Sequence, residues 1–306
     1  FRHDIPYSIH QCFAIITGLI IEAVPFLLLG TIGSTVIRYF VPQSVLLKLL
    51  GDYSWKSYGA AMVSGLALPV CDCAIIPLFK ALTDRGVPLS VALLFMLASP
   101  IINPITILST WYAFPDNPMI SVWRIVLGLG VALLVALSFR FYPPSKELMK
   151  ARNTQNLSYE EVLIESSRSK HINKKRLLIH MEKEFSQLLF YFSMAASVLS
   201  VVQVYGKPWL INAGITLPIV WAIPILLVLA FFFSICSTSD AIIGKSLSTL
   251  FPISSVMGFL ILGPMLDIKN VYILKQYMPT SFILRLGITI VIMSYITALG
   301  FQFFVG

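Results

Sequence analysis

Two proline-broken apolar stretches, one in each half, set the strongest limit on how this chain can fold. The first runs from Leu68 to Pro104, LPVCDCAIIPLFKALTDRGVPLSVALLFMLASPIINP. Its prolines at 69, 77, 100 and 104 sit where continuous helix would otherwise be expected. A proline inside a helix removes one backbone donor and frees the carbonyl four residues earlier. Within lipid, such a break is tolerated only where protein or a polar cavity surrounds it. The stretch therefore reads as a site rather than a simple anchor. Its setting is apolar throughout: 57% of the chain is hydrophobic, 12% is charged, and the mean hydropathy is +0.85. A soluble domain carries about 25% charged residues. The predicted fold class is all-α, a polytopic membrane protein of about eight transmembrane helices.

Taken in order, the apolar segments are Cys12 to about Tyr39, Ser57 to Leu82, Leu89 to Trp111, and Val122 to Tyr142. After them come Phe185 to Tyr205, Pro218 to Leu250, Ile253 to Leu274, and Phe282 to Val305. Residues 42–56 are too short and too charged to span, which suggests an interfacial helix. The segment 143–184 holds nine Lys/Arg and six Glu, and reads as a cytoplasmic linker. It divides a first transmembrane repeat, 1–142, from a second, 185–306.

The halves align. CDCAIIPLFKAL matches TSDAIIGKSLSTL, and VPLSVALLFMLASPIINPITIL matches FPISSVMGFLILGPMLDIKNVYIL. Cys73 then pairs with Asp240, Pro88 with Pro252, Pro100 with Pro264, and Asn103 with Asp267. Matching breaks in two halves are the best sequence pointer to a transporter binding site. Four full spans per half would make the repeats parallel and put both ends on the linker's side. One re-entrant hairpin per half would make them inverted. Under eight full spans, Arg38, Lys48, Lys56, Lys269 and Lys275 fall outside, against the usual charge bias.

The candidate site residues follow from these breaks. Side chains two apart diverge on a helix but share a side of extended backbone, so an unwound Cys71-Asp72-Cys73 could aim both sulfurs at one ligand. Thiolates are soft donors for zinc, copper(I) or trivalent metalloids, so Cys71 and Cys73 form a candidate metal site. A buried cysteine can equally be a small apolar filler. Asp72, Asp240 and Glu22 are acids at membrane depth, where charge is costly. Asp240 also suits a helix N-cap, and Glu22 suits helix packing. Asn103 and Asp267 follow the second break of each half. The expected arrangement brings Cys71 or Cys73 to within about 12 Å of Asp240, with Asn103 and Asp267 on the same cavity.

Other classes find no support in the residues. GxxxxGK[ST], HExxH and GxSxG are absent, so no enzyme activity and no cofactor is expected. The four cysteines lie in apolar contexts, unlike an extracellular disulfide framework. Nine of the 22 Lys/Arg lie in the linker, and the net charge of +8 is not a nucleic-acid signal.

At PVCDCAIIPLFKAL, RGVPLSVALLFMLASPIINP, SICSTSDAII and LGPMLDIKN, nearly the whole chain outside the linker resembles the ArsP/YraQ permease family. LSTWYAF is closer to its YcgR-like branch. The resemblance implies a multi-pass permease of the bacterial cytoplasmic (inner) membrane, with a YcgQ-like membrane protein as partner and an association with metal homeostasis. Some family members export trivalent organoarsenicals. On this likeness Cys71, Cys73, Ser99, Asn103, Asp240 and Asp267 fall on motif positions, whereas Asp72 stands where Ser is common. The expected function is secondary transport of a metal, metalloid or related small solute. The alternatives are a membrane subunit of a two-component complex and a thiol-redox membrane protein.

Overall fold

The computed structural model describes residues 43–67, 75–143, 218–233, 239–248 and 251–305, with separate positions within 10–32 and 182–200. Among the described residues all regular structure is helical. The first block comprises α1 (Gln43–Leu50), α2 (Trp55–Ala67), α3 (Ile75–Asp84), α4 (Leu89–Ile102), α5 (Pro104–Ala113) and α6 (Met119–Phe141). The second comprises α7 (Ile219–Phe233), α8 (Ser239–Leu247), α9 (Ile253–Met265), α10 (Ile268–Tyr277) and α11 (Thr280–Val305).

Three stretches are long and apolar enough to cross a bilayer: Met119–Phe141, Ile253–Tyr277 and Thr280–Phe304. A fourth is formed by α4 and α5 together, bent by 41° between them. On α11 the exposed residues Leu284, Ile288, Ile292 and Ile296 recur every fourth position. That stripe would be polar on a soluble protein, and here it is the face turned to lipid. The chain is a multi-pass membrane protein. In contrast, α4 and α9 are buried along nearly their whole length and contact each other at the centre. Their neighbours come close where glycine removes a side chain. A Cβ on Gly128 of α6 would lie 3.0 Å from Ile101, and one on Gly258 of α9 would lie 3.2 Å from Ala298.

The prolines act as their positions suggest. Pro100 and Pro104 bracket the bend, and the Asn103 side chain accepts from Ile105 N at 3.0 Å, capping α5. In the second block Pro264 precedes Asp267, which accepts from Asn270 N at 2.6 Å and caps α10.

The segments before α4 and α9 fold back on themselves. Tyr58 at the start of α2 and Ser90 at the start of α4 share a 2.8 Å hydroxyl hydrogen bond, so these helices begin at one end. The turn at Gly86 (φ +87°) closes with Val87 N donating to Leu82 O and Gly86 N to Thr83 O, a Schellman cap whose left-handed residue suits glycine. This turn lies beside Leu47 of α1. Hence α2 goes in and α3 comes back. The second block repeats the path. Gly258, the sixth residue of α9, faces Ile223 and Leu227, the fifth and ninth of α7. Going from Asp240 to Gly244, α8 meets first Gly263 and then Leu260 and Val256, so it runs antiparallel to α9. Among the described residues these helix directions fit the re-entrant topology rather than four full spans per half.

The blocks also run opposite to each other. Phe139 at the end of α6 packs on Phe282 at the start of α11, with ring centroids 5.3 Å apart. Trp123 at the start of α6 packs on Phe301 near the end of α11, at 5.7 Å. Introduced cysteines can check this course. Asp52→Cys and Asp84→Cys should react with a membrane-impermeant thiol reagent from one face, and Asp116→Cys from the other. Reaction of the first two from opposite faces would mean that α2 and α3 together cross the membrane.

Candidate functional site

The returning helices end against the opposite block. α8 packs on α5, and α3 packs on α10. At the start of α8, Asp240 is 1% exposed and Arg124 of α6 is 2% exposed, with Nη2 3.6 Å from Asp240 Oδ2. Arg124 Nη1 donates to Thr110 Oγ1 of α5 at 2.7 Å, and Thr110 in turn donates to Thr106 O. Gly263 of α9 closes the other side: a Cβ there would lie 2.8 Å from Asp240 Oδ2. Gly263 is the eleventh residue of the span Ile253–Tyr277, which at 1.5 Å per residue puts Asp240 about 15 Å in from that face. A carboxylate and a guanidinium thus meet near mid-membrane, where each would be costly alone.

A second buried pair sits at the other break. Asp267 is fully buried, and its Oδ2 lies 3.4 Å from Lys269 Nζ, itself 2% exposed. Next to it a small cavity is lined by Ile75 and Ile76 at the start of α3, Met96 of α4, Pro264, and Asn270 and Leu274 of α10. Lys269 therefore belongs inside, not in the exposed loop that eight full spans would give it. A concavity between α7 and α11 has a wholly apolar described lining and offers a solute no polar contact.

The sequence-predicted residues fall into three groups. Asp240 is in the interblock pair. Ser99, Asn103 and Asp267 are buried and engaged locally: Ser99 donates to Phe95 O at 2.6 Å, and the other two cap helices. Cys71, Asp72, Cys73 and Glu22 lie outside the described residues. Among the described residues no three potential metal ligands cluster. Sequence reasoning missed Arg124, which lies inside the span Val122–Tyr142 and was not weighed as a site residue. The signal was present. A cation in the first turns of a helix opposes the macrodipole and needs a partner, and both α6 and α11 carry arginine at their sixth residue. Arg285, the α11 counterpart, instead stacks over Phe139 at 4.6 Å and donates to Ser138 O.

At the membrane face the end of α8 is tied down as well. Lys245 Nζ lies 2.9 Å from Asp116 Oδ2, in the turn between α5 and α6, and 5.5 Å from the Phe114 ring. The hydrogen bond and charge of Lys245 hold the Asp116 carboxyl below its usual pKa. A carboxylate with a depressed folded pKa adds stability above its unfolded value, near ~3.9, and loses it as pH falls through the folded value. The Tm advantage of the wild type over Asp116→Asn should therefore be steady above about pH 6 and vanish well below about pH 4. A pH-independent difference would mean that Lys245 does not act through charge.

Comparison with known proteins adds the family context. Residues 8–303 match the family described as Predicted permease. A Streptococcus mutans protein named as a putative two-component membrane permease complex subunit is 33% identical over 296 residues, covering 93% of this chain and 92% of the relative. The Bacillus subtilis UPF0718 protein YcgR is 30% identical over 286 residues, covering 93% and 95%. The Escherichia coli UPF0718 protein YraQ is 27% identical over 108 residues, covering 35% and 31%. No solved structure matches the chain.

Proposed function

The chain belongs to the Predicted permease family, and from that premise we propose that it is a secondary permease built from two inverted repeats, 1–142 and 185–306, joined by a cytoplasmic linker, 143–184. It carries a metal, metalloid or related small solute across the cytoplasmic membrane by alternating access. The observation that carries this reading is the pair of fold-back segments that enter from opposite faces and each dock on the other block. An inverted pair of broken segments gives two related conformations, one open to each side, by exchange of roles between the halves.

The distribution of charge supports the orientation. The starts of α2 and α4, the end of α6 and the start of α11 share one face. Lys48, Lys56, Arg85, Arg140 and Lys275 lie toward it, and the linker leaves from it. Lys245 and Asp116 lie at the other. Lys48, Lys56 and Lys275, which eight full spans would put outside, thus join the linker's side, as the positive-inside rule requires. The end of α11 then faces outward. An odd number of crossings per half follows, and the helical positions within 182–200 provide the passage from linker to α7.

The central site in this reading uses Cys71, Asp72 and Cys73, which connect α2 to α3, and Asp240 at the start of α8. Ser99, Asn103, Asp267 and Glu22 are its supporting polar groups, and the cysteines are its soft donors. A second reading is a subunit of a two-component complex with another membrane protein, favoured by the name of the Streptococcus mutans relative. Proteoliposomes decide between them. The chain alone should move a metal or metalloid ion, and Cys71→Ser or Cys73→Ser should abolish that while leaving a folded protein. Full activity of the double serine variant would remove the thiols from the mechanism. Activity only after adding a second membrane protein would favour the complex.

A further inference from the structure

Because Met96 of α4 and Met265 of α9 line one small buried cavity together with Asn270, we infer that this cavity coordinates a single soft univalent cation, copper(I) or silver(I). The site stands on its own donors. That its ion is cargo rests on the permease reading, whose substrate class it narrows.

The cavity measures about 10 Å³, room for one water-sized body and too little for an organic solute. Its wall joins the two halves, with Ile75 and Met96 from the first and Met265 and Asn270 from the second. Both methionines are buried. Asn270 is 7% exposed, and its Oδ1 is an acceptor with no hydrogen-bond donor among the described residues.

A methionine in a core is ordinarily a flexible filler. The repeat shows that packing does not demand one here. In the alignment of the halves, Met96 matches Leu260, Met265 matches Ile101, and Asn270 matches Thr106. At the matching positions Leu260 fits against Gly244 of α8, Ile101 fits against Gly128 of α6, and Thr106 O accepts from Thr110. Branched aliphatic side chains and an engaged polar residue therefore fill those places. On this cavity the same positions carry two sulfurs and an unengaged oxygen, one sulfur from each half.

Thioether sulfur is a neutral, soft donor, and soft donors select copper(I)-like ions over hard cations. The charge of the surroundings agrees. Asp267 and Lys269 next to Asn270 pair at 3.4 Å and cancel, so they leave no net charge on the wall. Among the described residues no three His, Cys, Asp or Glu cluster, so a divalent ion lacks the anionic ligands it needs. A trivalent metalloid bonds to thiolates, which thioethers cannot replace. A univalent soft ion needs neither. It exchanges its water for the lone pairs of two sulfurs and one amide oxygen, and no electron changes owner.

Silver(I) is the probe, because it keeps its oxidation state in air. The full chain in nanodiscs, with its ten methionines labelled at the ε-methyl carbon, is titrated past the amount its four cysteines bind and followed by NMR. The Met96 and Met265 methyls should shift together over one added equivalent, while buried Met257 stays put. Met96→Leu and Met265→Ile assign the two signals, and each should abolish the shift of the remaining methionine. These changes are close in volume, so the fold should hold. Asn270→Leu should weaken binding about tenfold or more, and zinc should move neither methyl. Movement of one methyl without the other, movement no larger than that of Met257, or an equal response to zinc would overturn the proposal. If one variant does not fold, the wild-type titration with the other variant still decides. Silver uptake by proteoliposomes that both variants abolish would make the ion cargo. Binding without transport would sink only the permease reading, and metal transport by a chain whose methionines ignore silver would sink only this site.

Discussion

A charge inside a bilayer must bring its own solvation, and in this chain the two halves supply it to each other. Arg124 on α6 and Asp240 on α8 are buried together, with Thr110 holding one guanidinium nitrogen and Gly263 making room for the carboxylate. Neither half could bury its member alone without an uncompensated charge near mid-membrane. The pair therefore requires that the second block press its fold-back segment into the first. The rest follows from that demand. The breaks must lie inside protein, the segments that carry them must turn back, and α4 and α9 must be the shared, lipid-free centre.

The opposed directions of α6 and α11 give this exchange its geometry. Aromatic contacts fasten both ends of the pair, Phe139 to Phe282 at one face and Trp123 to Phe301 at the other. With equivalent helices antiparallel, whatever one fold-back segment does at one face, its counterpart can do at the other. The chemistry of the two is nevertheless unequal. Asp240 aligns with Cys73, and Arg285 leans on Phe139 and Ser138 where Arg124 reaches for a carboxylate. One segment carries a buried acid, and the other carries sulfur.

Much of this was legible in the sequence. Hydropathy marked the apolar segments, because lipid leaves few alternatives to helix. Prolines 100, 104 and 264 marked the breaks, a local effect of backbone chemistry, whereas Asn103 and Asp267, expected as site residues, cap α5 and α10. Asp240 stood out as a buried acid. The path through the membrane was not legible, since α2 with α3 and α7 with α8 are each long and apolar enough to be taken for one span. Hydropathy measures a segment's length and not its direction. The lysines held the clue, because Lys48, Lys56 and Lys275 fall on the linker's side once those segments turn back. Arg124 and Lys269 escaped for a related reason. A cation near a segment end is ordinarily a flank in the interface, and only tertiary contact shows that these two point inward.

The interblock pair is most directly tested by a double-mutant cycle on unfolding of the purified chain in mixed micelles, using Arg124→Met, Asp240→Leu and the two combined. Each single change strands one buried charge and should cost about 3–5 kcal/mol, whereas the double change strands none and should cost far less than their sum. Strictly additive losses would contradict the account, because they would mean that Arg124 and Asp240 are buried independently and that the halves are held together by something else.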